Sequence, residues 1–466
     1  MKVVHVALCP TEASAKAGRP ALTPELLAAS GARYSRNNEG LENILGKIDP
    51  NNLDKSVDGI FKMIDYGHQS IADMAPVAMF MDDMSLWLAY HVWSLCPVAG
   101  GQESSTRYIG LSEDSLLAPE DLGIPQQDRA AWQALMAECF ASYQKCLSVW
   151  DEMAVSDPTI MRIPREVAED QSEKGQKKLA RMRRNYAFDR ARYYLPVAAK
   201  TNVMLVMSAR AWVNLCQQLL SHPLPEPKKL GTLIAKELEL CAPRLLRHAT
   251  AKKYTEQGIE SGFQHVRQLA RNLPNPFVHE TASQHPANAY LEVFPPRDAN
   301  GQSIARSLDH HENRYAWFGE DIQRTAVRFG WEAVAIAEIR DLNRHRTGTK
   351  YCPLVPRGFY GAQDQIPADA NRELRDNLQT GFKATVNGME KLKAGDWSYI
   401  YWTVLGTQYP FEHTTTADKF IYEAELRTGL GAHYKYAEHL RESLALWYQK
   451  YPATKGKILE GSAEPE

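Results

Sequence analysis

The chain has 466 residues, 44% of them hydrophobic, and a formal net charge of −2, enough for roughly two to three domain equivalents with well-buried cores. That charge excludes a globally basic nucleic-acid binder, and no stretch is apolar for long enough to span a bilayer. Seven cysteines, an odd number without CxxC spacing, suit free thiols in a reducing cytoplasm better than a disulfide frame or a zinc site.

The opening run Val3-Val4-His5-Val6-Ala7-Leu8 stops at Pro10, so it predicts a strand over 3–8 and not a signal peptide. Thr23 before Pro24 predicts a short helix over 24–32. A helix over 53–66 ends at Gly67, and 77–84 reads as a strand. The helix expected over 85–95 is stopped by Pro97 and a glycine pair. Trp132, Leu135, Met136, Cys139, Tyr143 and Leu147 have helical spacing within 126–153. The basic run Lys174, Lys177, Lys178, Arg181, Arg183, Arg184, Arg190 and Arg192 has two readings. It is a solvated helix face, or a positive rim for nucleotide phosphates or a polyglutamate tail.

Asn272, Pro274, Asn275, Pro276, Gln284, Pro286 and Asn288 mark a boundary between about 270 and 289. A strand follows over 289–294, closed by Pro295-Pro296. Residues 322–343 have a helical pattern. A further helix runs from about Thr414 through Asp418 and Tyr422 to Arg427. His310-His311-Glu312 reads as a surface loop, since adjacent histidines diverge and no third ligand is spaced for zinc. The tail 461–466 is expected to be disordered.

Two segments carry chemistry. Arg344-His345-Arg346 places two guanidinium groups and an imidazole together, a costly cluster to bury unless it faces an anionic or electron-rich ligand. The bland alternative is a solvated basic helix end. About 250 residues earlier, Gly101-Gln102-Glu103-Ser104-Ser105-Thr106-Arg107 can aim a carboxylate, a hydroxyl and a guanidinium at one phosphate-bearing ligand. Here the alternative is a polar loop with a helix cap.

Together the two segments resemble the signature of the flavin-dependent thymidylate synthases, Arg-His-Arg followed by Glu-x-Ser-x-Arg, split between two copies. Leu95-Cys96-Pro97 stands where the first copy would carry Arg-His-Arg. Cys352 and Leu354 stand where the second would carry Glu and Ser, with Arg357 one residue late. Gly67-His68-Gln69-Ser70-Ile71-Ala72-Asp73 resembles the family's flavin-touching stretch. Arg192 to Pro196 is similar to its Arg-x-x-Leu-Pro turn, and Ser208-Ala209-Arg210 with Asn214 resembles its flavin-holding residues. The family's ring-polarising Arg falls at Leu219 in the first copy and at Arg427 in the second. There Asp418 and Tyr422 replace the flavin-holding Arg and Asn.

The resemblance implies an α+β fold of two tandem copies, long helices on mostly antiparallel sheet, with an expanded first copy over 1–270 and a shortened second over 289–466. It implies methyl transfer to C5 of a uracil nucleotide of the dUMP type, with FAD as cofactor and methylene-tetrahydrofolate and NADPH as co-substrates. Arg427 would be catalytic. Glu103, Ser105, Arg107 and Arg192 would bind substrate, while His68, Ser70, Ser208, Arg210, Asn214, Arg344, His345 and Arg346 would hold flavin. No metal, nucleic acid or membrane partner is implied. The family shares its sites between subunits, so two fused copies predict a cytoplasmic homodimer with pseudo-tetrameric symmetry. Another pyrimidine nucleotide or one-carbon unit, and a non-catalytic flavin- or nucleotide-binding scaffold, remain as alternatives.

Overall fold

Strands form where apolar and β-branched side chains bury alternately or continuously, and nine are present among the described residues of the computed structural model: β1 Lys2–Val6, β2 Pro76–Ser85, β3 Gly100–Glu103, β4 Lys200–Ser208, β5 Tyr290–Phe294, β6 Ala326–Ala335, β7 Thr349–Tyr351, β8 Gly358–Phe359 and β9 Thr407–Thr416. The structure describes residues 1–35, 40–49, 52, 57–58, 60–61, 70–161, 163, 169–273, 288–366, 372–429 and 432–461. Most of the expected helix over 53–66, residues 274–287 of the boundary segment, and 462–466 of the tail lie outside the described residues.

Both sheets are antiparallel and share one topology. The first has order β1-β2-β4-β3, the second β5-β6-β9-β7, with β8 also on β9. Pro76 pairs with Ser208 as Ala326 pairs with Thr416, and the long strand of each sheet shifts register at the same place, between Met81 and Met84 and between Trp331 and Val334. The backbone is thus a tandem repeat. Long strands pass directly into helices in both: Leu86–Leu95 and Ala209–Ser221 in the first, Ile336–Leu342 and Ala417–Thr428 in the second. Ser85 and Ser208 cap their helices through bonds to Leu88 N and Ala211 N, whereas Ala335 has no capping side chain. Losing such a cap costs about 1 kcal/mol, which tertiary packing of the short apolar helix Ile336–Leu342 must offset.

The helix expected over 322–343 is a correction. Residues 326–335 are β6, where Val327, Phe329, Trp331, Ala333, Val334 and Ala335 are all buried. A continuous apolar run reads alike as buried helix or buried strand, and pairing with β5 and β9 decides it. Likewise Thr414 to Thr416 belong to β9, so the next helix starts at Ala417. The other described expectations stand within a few residues, including the helix Arg129–Ser156.

Compact packing divides the chain into two units. The first contains residues 1–104, 117–126 and 198–264; the second contains 105–116, 127–197 and 265–466. These units differ from the copies read along the sequence, because the helices Arg129–Ser156 and Glu173–Ala191 pack in the second unit. Within it, Leu195 O and Tyr193 O accept from Leu405 N (2.8 Å) and Gly406 N (2.7 Å), and Pro196 bridges antiparallel to Val404. Pro196 and Val404 lie equally far before the ends of β4 and β9, so the two copies meet there through corresponding residues.

Candidate active site

The second unit gathers cations from both sequence copies around one carboxylate. Asp341, on the helix Ile336–Leu342, is 3.3 Å from Arg192 Nη2 and 3.7 Å from Arg344 Nη2. Arg192 is 2% exposed and also donates to Ala337 O. Burial alone would raise the Asp341 carboxyl, yet Arg192, Arg344, Arg427 and Arg107 together hold it well below the usual range. Arg107 is presented by a turn in which Ser105 Oγ accepts from its backbone N at 3.2 Å. Its guanidinium makes a bidentate pair with Asp189, at 2.7 and 2.9 Å.

Arg427 lies in the last turn of the helix Ala417–Thr428. Its Nε donates to His345 Nε2 at 2.8 Å, and its guanidinium lies 5.4 Å from the Tyr436 ring centroid. Because His345 Nε2 accepts, the ring proton sits on Nδ1; burial, reinforced by Arg427, lowers its pKa to about 3 and keeps the imidazole neutral. The following turn is fastened to β9, since His413 reaches from Glu423 Oε2 (3.1 Å) to the Thr347 carbonyl (2.6 Å). Gly348, at φ +74°, lets that turn close, because a Cβ there would meet Thr414 O. His433 donates from Nε2 to Asp189 O at 3.2 Å and accepts from Lys435 N at Nδ1.

The sequence-derived set thus separates. Arg107, Arg192, Arg344, His345 and Arg427 converge on Asp341 or on one another, Ser105 holds the Arg107 turn, and Arg346 follows in the same segment, partly buried. Ser70, Glu103, Ser208, Arg210 and Asn214 belong to the first unit. There Asp73 accepts from Arg210 Nη1 at 2.8 Å and from Ser208 Oγ at 3.4 Å, while Asn214 is exposed on the same helix as Arg210. Glu103 sits on β3 opposite Val203. His68 lies outside the described residues.

Sequence reasoning missed Asp189, Asp341 and Glu338. Acidic residues inside an apolar helix such as Ile336-Ala337-Glu338-Ile339-Arg340-Asp341-Leu342 are the available signal, since buried charges are found paired. In the basic run, Lys174, Lys177, Lys178, Arg181 and Arg184 are exposed and Arg183 is half-buried, whereas Arg190 and Arg192 are buried. Arg190 lies between Tyr186 and Tyr434, 3.6 and 4.4 Å from the ring centroids. The segment 310–312 is a loop with His310 and Glu312 exposed, as expected, but His311 within it is buried, with Nε2 2.9 Å from Glu425 Oε1 and its ring stacked on Phe318. No group of three metal-ligating side chains occurs among the described residues. No described helix is long and apolar enough to cross a membrane, and no disulfide joins cysteines among the described residues.

The chain is similar in sequence to known proteins. The family model for thymidylate synthase complementing protein matches residues 21–244. The chain is 23% identical over 456 residues to UPF0159 protein Ta1429 of Thermoplasma acidophilum, covering 86% of this chain and 88% of that protein. It is 21% identical over 227 residues to a flavin-dependent thymidylate synthase of Clostridium tetani, covering 48% of this chain and 82% of the relative. Among solved structures, a UMP/dUMP methylase PolB from Streptomyces cacaoi bound with 5-Br dUMP matches at 15% identity and TM-score 0.32, over 53% of this chain and 93% of that one. Residues 21–244, just under half of the chain, thus resemble the flavin-dependent thymidylate synthase family, and the sheet topology they contribute to recurs in the second half of the chain.

Proposed function

We propose that this protein catalyses flavin-dependent methyl transfer to C5 of a uracil nucleotide, at a composite site whose cations come from both sequence copies. The observation that carries the reading is Arg427, at the family's ring-polarising position, aimed by His345 within the group that includes Arg107, Arg192 and Arg344. A guanidinium fixed in advance stabilises negative charge growing on the pyrimidine without reorganising in the transition state. The neutral His345 ring, accepting from Arg427, sets its direction. Asp341 balances the surrounding cations, so they are held in place before substrate arrives.

FAD contacts would come from Arg344, His345 and Arg346 in the second unit and, taken separately, from His68, Ser70, Ser208, Arg210 and Asn214 in the first. The described members of this set offer hydroxyl, amide and guanidinium donors suited to phosphate and carbonyl oxygens, with Asp73 the anion that a phosphate on Arg210 would displace. Bound flavin supplies the hydride, methylene-tetrahydrofolate the carbon, and NADPH the electrons that reduce the flavin. Substrate contacts are proposed for Ser105, Arg107 and Arg192 in the second unit and, separately, for Glu103 in the first, and the assembly is proposed to be a cytoplasmic homodimer with pseudo-tetrameric symmetry.

One observation favours a second reading, a different pyrimidine nucleotide as substrate. Arg107 and Arg192 are already engaged by Asp189 and Asp341, which weakens their claim on a monophosphate. Turnover of dUMP, UMP and deoxyuridine with methylene-tetrahydrofolate, NADPH and FAD tests both. Thymidylate formation abolished by Arg427→Leu supports the first reading, and methylation of another pyrimidine supports the second. A colourless preparation that takes up no FAD and turns over none of the three overturns both in favour of a scaffold.

A further inference from the structure

A chain of hydroxyls leads away from the cation cluster within the second unit. Glu338, one helical turn before Asp341, is fully buried, with Oε1 3.9 Å from Arg192 Nη2. Tyr193 OH donates to that oxygen at 2.7 Å, and the Tyr434 hydroxyl lies beside Tyr193. Tyr360 OH lies 3.2 Å from Tyr434 OH and 2.6 Å from Asp364 Oδ1. Asp364 is 34% exposed, and its other oxygen holds Lys435 Nζ at 2.9 Å. The two ends of this line differ: one carboxyl is sealed from water, the other reaches it. Glu338 Oε2 is buried and has no hydrogen-bond partner among the described residues.

We propose that Glu338, Tyr193, Tyr434, Tyr360 and Asp364 form a proton relay between the buried carboxyl beside Arg192 and solvent. When Glu338 takes the proton of Tyr193, Tyr193 takes that of Tyr434, Tyr434 that of Tyr360, and Tyr360 that of a protonated Asp364. Run in reverse, the proton of Glu338 emerges on Asp364 and passes to water. Every tyrosine oxygen gains one proton and loses one, so only the two carboxyls exchange charge and no oxidant or reductant is needed. The purpose of the relay rests on the function proposed above: replacing hydrogen at C5 by an electrophilic carbon releases that hydrogen as a proton, which the relay would carry to solvent.

The electrostatics suit the task. Burial pushes the Glu338 carboxyl up to about 7, partly offset by Arg192, the Tyr193 hydroxyl and Lys435, with Asp341 raising it further. A carboxyl poised there holds or releases a proton at neutral pH. Tyr193, Tyr434 and Tyr360 are all raised by burial, so they pass protons on without resting as phenolates.

Infrared spectroscopy of the intact protein tests the relay without reference to turnover. The carbonyl stretch of a protonated buried carboxyl should be present at pH 6, fade through about pH 7 and vanish in Glu338→Gln. Tyr360→Phe and Tyr193→Phe should keep that band but slow its response to a pH jump or to deuterated solvent at least about tenfold. The same variants should slow turnover and shift its pH profile. A wild type lacking the band, or tyrosine variants exchanging as fast as wild type, would overturn the relay. If the slowed exchange is seen in a protein that methylates no pyrimidine, the relay stands and the functional reading fails. If methylation proceeds and both tyrosine variants keep the wild-type exchange and pH profile, the relay fails alone.

Discussion

The two sheets share strand order and bulge, yet corresponding positions have diverged toward opposite chemistry. Where the second unit places Arg427 against His345, the first has Leu219 and Cys96, both buried and apolar. Where the first pairs Arg210 with Asp73, the second carries Asp418. The faces differ too. Val4, Val6, Phe80 and Val206 are exposed on the first sheet, whereas the matching face of the second carries Arg328 with Glu292 at 3.1 Å and Tyr290 with Glu412 at 2.9 Å. A backbone therefore preserves topology long after its side chains have been reassigned, because strand pairing tolerates any side chain that suits the local burial. At the position of Arg427 and His345 the first unit packs apolar side chains, while the second holds charge.

If the second unit is the one organised around charge, Asp341→Asn should hurt it most. The change leaves Arg192 buried beside Glu338 without its nearer carboxylate, and breaking such a pair costs about 3–5 kcal/mol, measurable by urea denaturation. A loss below about 1 kcal/mol would show that the cations do not depend on this carboxylate. Arg427→Leu, which gives the second unit the residue of the first, should lower turnover roughly 10²- to 10³-fold with flavin uptake retained. Retained turnover would place catalysis elsewhere.

A pH titration compares the units directly, because each contains histidines held below their ordinary value. Burial lowers His91 to about 4 and His222 to about 3 in the first unit, and His345 to about 3 in the second. A depressed pKa contributes stability that is complete above the unfolded value near 6.5 and lost as pH falls through the folded one. Thermal stability should therefore fall between about pH 6.5 and 3, and His91→Gln with His222→Gln should flatten the first unit's share of that loss. An unchanged slope would show that these two histidines do not set it.

The smallest effect is expected at Arg210→Ala. Its pair with Asp73 is 38% and 48% exposed, so stability should change by less than about 1 kcal/mol. Flavin affinity should still fall by about tenfold, the size of one lost charge-assisted contact. Unchanged affinity in a flavin-binding protein would remove Arg210 from the proposed flavin-holding set.

Much of the architecture was legible in the chain itself. The Thr23-Pro24 cap, the Pro97 stop and the spacing from Trp132 to Leu147 located helices, because propensity and periodicity act over a few residues. The split signature pointed to Arg107, Arg344 and His345, and the accompanying family motifs to Arg192 and Arg427. Local pattern could not separate β6 from a buried helix, since both are continuously apolar and only pairing with β5 and β9 distinguishes them. Nor could it foresee that Asp189 and Asp341 would engage those arginines, or that Glu338 would lie at the end of a line of tyrosines. Those partners stand tens to hundreds of positions away along the chain, and a buried charge takes its partner from whichever backbone folding brings within reach.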